Sequence, residues 1–254
     1  MEKDKKLLNI TKFIFITIKT ILKFLIKYIK NNNDTGNLRK RIVSSLILIP
    51  LAIYAIFFST NLFIALAIAI TILMTMEWQE IIRPAEDYKK WQIIGVFYIL
   101  IPVYSVIKIR LLDGEQNGAQ ILLWMFAIIW STDIMAFFIG KSFGGPKIAP
   151  HISPNKTWSG AVGGLITSAI IGAISASVLF KGSITFFIAI SIILSIIEQV
   201  SDLIESKIKR TFGVKDSGSI IPGHGGVLDR LDGMILVAPA VLLLLIFFKN
   251  NFYF

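Results

Sequence analysis

The 254-residue chain contains no cysteine. That absence excludes structural disulfides, thiolate metal sites and cysteine nucleophiles together, and leaves the compartment open. Charge is sparse too: charged residues make up 17% of the chain, against 55% apolar residues and a mean hydropathy of +0.73. A soluble domain of this length rarely reaches that hydrophobicity, so repeated membrane spans are expected. The apolar runs lack the in/out alternation of a membrane barrel, so the spans should be helices. The net charge of +10 could suggest nucleic acid. In a membrane protein a basic excess instead marks loop orientation and contact with anionic lipid, and no nucleic-acid partner is expected.

What is present begins with a basic segment. In "KFIFITIKTILKFLIKYIK" the residues Lys12, Lys19, Lys23, Lys27 and Lys30 recur at helical spacing along one narrow face. Lysines at mid-bilayer would cost roughly 2.5–3.5 kcal/mol each, so residues 1–30 read as an amphipathic helix lying in the interface. No small-residue cleavage site follows, which argues against a signal peptide. Residues 31–40, with "NNNDTGN", read as a linker, and residues 41–254 as the transmembrane catalytic domain.

Seven spans are expected, near 42–58, 62–82, 92–109, 119–139, 159–180, 183–201 and 234–254. The loops at 30–41, 83–91, 140–158 and 202–233 hold fifteen Lys and Arg residues, whereas the alternate loops and the C-terminus hold four, Lys108, Arg110, Lys181 and Lys249. Strict alternation puts all four basic loops on one side, which the positive-inside rule assigns to the cytoplasm. The fold class is therefore all-α: a polytopic protein of the cell (inner) membrane with about seven transmembrane helices plus the N-terminal amphipathic helix.

Chemistry concentrates in two cytoplasmic loops. In "EQVSDLIESKIKR", Glu198, Asp202, Glu205 and Lys209 fall at i, i+4, i+7 and i+11 and share one helix face. Stacked carboxylates suit Mg²⁺ held together with substrate phosphates, or else form a solvated helix end with an internal Glu205–Lys209 pair. In "DSGSIIPGHGGVLDRLDG", Gly218, Gly223, Gly225 and Gly226 permit close backbone approach to an anion. Lys209, Arg210, Lys215 and Arg230 supply donors for phosphate oxygens. Asp229 and Asp232 stand at the mouth of the last span, where ionisable groups default to function. His224 could contact phosphate, act as an acid or satisfy a turn; phosphate contact is preferred. "DIMAFFIGKSFGGPKIAPHISPNKTWSG" repeats these ingredients with Asp133, Lys141, Lys147 and Lys156, while His151 reads as a loop residue. Together the pattern suits metal-dependent transfer onto a lipid phosphate, in which positioning and charge neutralisation do most of the catalysis.

The run "SKIKRTFGVKDSGSIIPGHGGVLDRLD", Ser206 to Asp232, resembles the signature of the CDP-diacylglycerol synthase (phosphatidate cytidylyltransferase) family in every spacing, and "DIMAFFIGKSFGG" and "SPNKTWSG" are similar to its second motif region. The resemblance implies transfer of the CMP moiety of CTP to phosphatidate, giving CDP-diacylglycerol and pyrophosphate in phospholipid biosynthesis. It implies Mg²⁺ at Asp202 and Asp229, and substrate or phosphate contacts from Lys156, Lys209, Arg210, Lys215, His224, Gly225, Gly226 and Arg230. Asp133, Glu205, Asp216 and Asp232 are secondary candidates; a second cation and a homodimer are left open. Ser201 stands where the family usually has Gly, and Ser159 replaces a commonly larger polar residue.

Two other readings fare worse. A CDP-alcohol phosphotransferase would need a D-G-x-x-A-R run, and "DRLDGMILVAP" lacks the Arg. An ion or metabolite transporter using Asp133, Glu198 and Asp202 as a relay predicts inverted repeats and mid-bilayer charges. No repeat is visible in the sequence, and the charges gather at one end of each span.

Overall fold

The computed structural model describes residues 35–112, 115–180, 182–220, 225–248 and 251–252. The expected amphipathic helix at 1–30 and His224 lie outside the described residues. The chain divides into two compact units, residues 1–49 with 222–224 and residues 50–221 with 225–254. Lys156, Asp202, Lys209 and Asp229 all belong to the second.

Seven helices occur among the described residues: α1 (Thr35–Phe58), α2 (Thr60–Ile82), α3 (Tyr88–Arg110), α4 (Glu115–Phe143), α5 (Trp158–Val178), α6 (Ile184–Thr211) and α7 (Leu228–Phe248). The helices from α2 to α7 are long and apolar enough to cross a membrane, so the chain is an all-α polytopic membrane protein. A hydroxyl opens several of them. Ser59 Oγ accepts from Leu62 N at 3.3 Å, Thr157 Oγ1 from Gly160 N at 3.2 Å and Ser183 Oγ from Phe186 N at 3.4 Å.

Several boundaries differ from those expected, and one loop gains structure. α1 starts at Thr35, inside the stretch read as linker, since no proline or turn pair after Gly36 stops the helix. α6 continues ten residues past the expected end at 201, because only at Gly213 (φ +69°) does a left-handed residue close it. α7 starts at Leu228, six residues before the expected 234, because a carboxylate from α2 caps it. The loop 140–158, expected to be irregular, folds partly into an antiparallel hairpin of β1 (Lys147–Ala149) and β2 (Ser153–Thr157).

Packing follows membrane logic. On α5, Gly160, Gly164, Ser168 and Gly172 recur every four residues and face inward. A Cβ at Gly160 would lie 2.5 Å from Ala136 O of α4, and one at Gly172 2.5 Å from Phe187 O of α6. Small residues let these backbones approach where lipid offers little hydrophobic drive between helices. The opposite stripe, Ile166, Ile170 and Ile174, is exposed. One core centres on buried Trp124, whose ring meets Phe180, Phe187 and Phe252 edge-on at 5.7, 5.6 and 5.9 Å. A second joins Met74 and Trp78 of α2 and Ile99 of α3 to Val227, Leu228 and Ile235 around the start of α7. These contacts bring the polar ends of α4, α6 and α7 together.

Candidate active site

The extension of α6 matters most here, since it keeps Glu198, Asp202, Glu205 and Lys209 on one continuous helical face, as their spacing predicts. Two lysines arrive at that face from different directions. Lys156 of β2 pairs with Asp202 Oδ2, while Asp202 Oδ1 accepts from Ser206 Oγ at 3.2 Å. One turn further along, Lys209 Nζ lies 3.0 Å from Glu205 Oε1 and 2.6 Å from Asp229 Oδ1 at the start of α7. Lys209 and Asp229 are only 12% and 11% exposed, so this is a shielded pair rather than a solvated surface contact.

Asp133 of α4 lies in the field of Glu198, Asp202, Lys156 and Arg230. Asp232 of α7 lies in that of Asp202, Asp133 and Lys156. Glu198 is buried, and neither of its oxygens receives a hydrogen bond from a described donor; its neighbour is another carboxylate, Asp133. Ser201, one residue before Asp202, donates its hydroxyl proton to the Asp232 carbonyl and so ties α6 to α7. Ser159 likewise donates to the Gly144 carbonyl, fastening the start of α5 to the residue that follows α4.

The glycine-rich segments are organised around Asp229 and a residue that the sequence reading missed. Asp229 Oδ2 accepts from Ser217 N at 2.9 Å and Gly226 N at 3.2 Å. Glu77 of α2, 1% exposed, accepts from Val227 N at 2.8 Å, Leu228 N at 2.8 Å and Ser217 Oγ at 3.1 Å. The signal was a carboxylate at the end of a long apolar run, Glu77 in "TMEWQE", of a kind that usually marks a site. Tyr98 of α3 was also missed; its buried hydroxyl lies in the field of Glu205, Asp232 and Asp202.

The remaining expected residues are placed as follows. Arg210 donates to the Ile152 carbonyl at 3.3 Å and the Val214 carbonyl at 3.0 Å, so it joins the hairpin turn to the end of α6. Lys215 and Asp216 are exposed, and Arg230 is exposed on the first turn of α7. Gly225 adopts φ +87°, and Gly226 N is directed at Asp229 rather than left open to a ligand. Asp202 and Asp229, expected around one cation, each carry a separate lysine.

Beside Lys156 opens a cavity of about 700 Å³ between α4, the hairpin and α5, lined by Asp133, Lys141, Lys147, Asn155, Lys156 and Gln199 among others. It combines three lysines with apolar walls such as Phe137 and Ala161, a lining suited to an anionic group on a greasy molecule.

Known proteins share this pattern. The profile of the cytidylyltransferase family matches residues 85–248. A phosphatidate cytidylyltransferase of Rickettsia bellii is 38% identical over 235 residues, covering 89% of this chain and 96% of its own length. That of Rickettsia typhi is 41% identical, covering 87% and 94%. That of Brucella abortus biovar 1 is 43% identical over 175 residues, 68% of this chain; there the match spans about 60% of the relative's length. With most of the membrane core and both Gly-rich basic loops inside the match, the chain belongs to the cytidylyltransferase family.

Proposed function

We propose that the protein transfers the CMP moiety of CTP to phosphatidate, giving CDP-diacylglycerol and pyrophosphate. The carrying observation is the lysine-lined cavity next to the Lys156–Asp202 pair, in a chain whose relatives are named phosphatidate cytidylyltransferases. A phosphate oxygen of the lipid attacks the α-phosphorus of CTP, the bond to the bridging oxygen of the β-phosphoryl group breaks, and pyrophosphate leaves. Such a reaction needs alignment and charge neutralisation more than a strong base. Lys156, with Lys141 and Lys147 on the cavity wall, holds one phosphate group. Lys209, Arg210, Lys215 and Arg230 meet the other.

The carboxylates fit a divalent cation, Mg²⁺. Glu198 receives no hydrogen bond from a described donor, and four carboxyl groups, Asp133, Glu198, Asp202 and Asp232, gather near the one ammonium of Lys156. Among the described residues no group of three or more His, Asp or Glu side chains could hold a metal ion by itself, so an ion here needs further ligands from phosphate and water. Asp202 and Asp229 would hold it. When bound, it neutralises charge on the phosphates.

The site faces the cytoplasm, where CTP is available, a reading that the basic loops support through the positive-inside rule. Purified protein in detergent with phosphatidate, Mg²⁺ and labelled CTP should form a lipid-soluble cytidine product. Absence of that product with CTP, in protein shown to be folded, would reject the reading.

A further inference from the structure

Glu77 lies outside the segment matched by the family profile, on a different helix from every residue discussed as a substrate contact. Its carboxylate nevertheless collects three donors from the far end of the chain: Val227 N, Leu228 N and Ser217 Oγ. Leu228 N belongs to the first turn of α7 and Val227 N stands just before it, so a protein carboxylate already occupies that positive end. The glycines beside it are shaped by the same contact. A Cβ at Gly218 would lie 3.0 Å from Glu77 Oε1, and one at Gly226 would lie 2.9 Å from Glu77 Oε2 and 1.8 Å from Ser217 Oγ.

Ser217 links the two carboxylates. Its hydroxyl donates to Glu77 Oε2 at 3.1 Å and accepts from Asp229 N at 3.3 Å, while its amide donates to Asp229 Oδ2 at 2.9 Å. Gly226 N completes the grip on Asp229 at 3.2 Å. The orientation of Asp229 therefore depends on segments that Glu77 holds from behind.

We infer that Glu77 is a positioning residue: it clamps segments 217–218 and 226–228 so that Asp229 and its partner Lys209 face the nucleotide side of the site. One consequence is that the amides of Ser217, Gly226, Val227 and Leu228 are committed to Glu77 and Asp229. The triphosphate is therefore met by side chains and not by the N-terminus of α7. This inference rests on the proposed transferase reading for what the site binds, but the clamp itself does not.

A glutamine cannot replace this carboxylate, because its NH₂ would face an N–H donor. Glu77→Gln should raise the half-saturating concentrations of CTP and Mg²⁺ about tenfold, since it leaves buried donors unpaired. The half-saturating phosphatidate concentration should stay within about twofold, as expected for a defect confined to one substrate's site. Ser217→Ala, a milder change that covers failure of the first variant to fold, should move the same two quantities by about threefold. Because the chain lacks cysteine, Ser219→Cys in the full-length protein carries a single nitroxide label beside the clamp. Its spectrum should become more mobile when combined with Glu77→Gln or Ser217→Ala. An unchanged spectrum with unchanged CTP and Mg²⁺ dependence overturns the inference, as does a uniform fall in active fraction with no change in half-saturation. If the parent protein makes no cytidine lipid, the transferase reading fails on its own, and label mobility alone decides for or against the clamp.

Discussion

Lys209 bridges two helices: its ammonium lies 2.6 Å from Asp229 Oδ1 on α7 and 3.0 Å from Glu205 Oε1 on its own α6. This single charge is the counter-ion for two shielded carboxylates. Breaking a buried pair by removing one partner typically costs about 3–5 kcal/mol, because the other charge is left uncompensated. Lys209→Met should therefore lower the melting temperature in detergent as well as abolish turnover, whereas Lys215→Met, at an exposed position, should leave the melting temperature unchanged. Equal thermal stability of the two variants would refute the structural half of this assignment.

Asp202 and Asp229 are expected to be needed for turnover and not for insertion. Each isosteric Asn variant should reduce the rate by at least about a hundredfold, the scale of losing one preorganised electrostatic group at a transition state. Membrane expression and elution in gel filtration should match the parent. Rates near the parent's would remove either residue from the proposed metal site.

The Lys156–Asp202 pair joins the hairpin to α6, so its loss should show in substrate affinity. Lys156→Ala should weaken phosphate binding more than Lys156→Arg, which keeps the charge but alters its shape. Half-saturating concentrations of CTP and phosphatidate, measured side by side, will show which phosphate occupies the cavity lined by Lys141, Lys147 and Lys156.

Helix approach along α5 depends on absent side chains. Gly172→Val places a branched side chain where even a Cβ would sit 2.5 Å from Phe187 O, and overpacking of this kind costs typically about 1–3 kcal/mol. A thermal melt in detergent should register the loss. Ile170→Val, on the exposed stripe, should not.

Removal of residues 1–30 should leave turnover in detergent within about twofold, because the lysine-rich segment is expected to supply membrane attachment and not chemistry. The family match begins only at residue 85. A truncated protein that is folded but inactive would show a catalytic contribution from this segment.

Much of this molecule is legible from local chemistry. Long apolar runs have no stable alternative to a spanning helix, because a backbone in lipid must satisfy its own hydrogen bonds. A 3.6-residue period places Glu198, Asp202, Glu205 and Lys209 on one face wherever the helix ends. The spacing from Ser206 to Asp232 was enough to indicate the family. Only tertiary structure decided the partners. That Lys156 meets Asp202 and Lys209 meets Asp229 depends on how closely the glycine-faced helices approach. Glu77 was visible as an acid in an apolar run, but its donors lie 140 to 151 residues away in sequence. Periodicity reports which face a residue occupies, not which distant backbone meets that face. The early start of α7 at Leu228 has the same cause: its cap is a carboxylate contributed by α2, so no local start signal could reveal it.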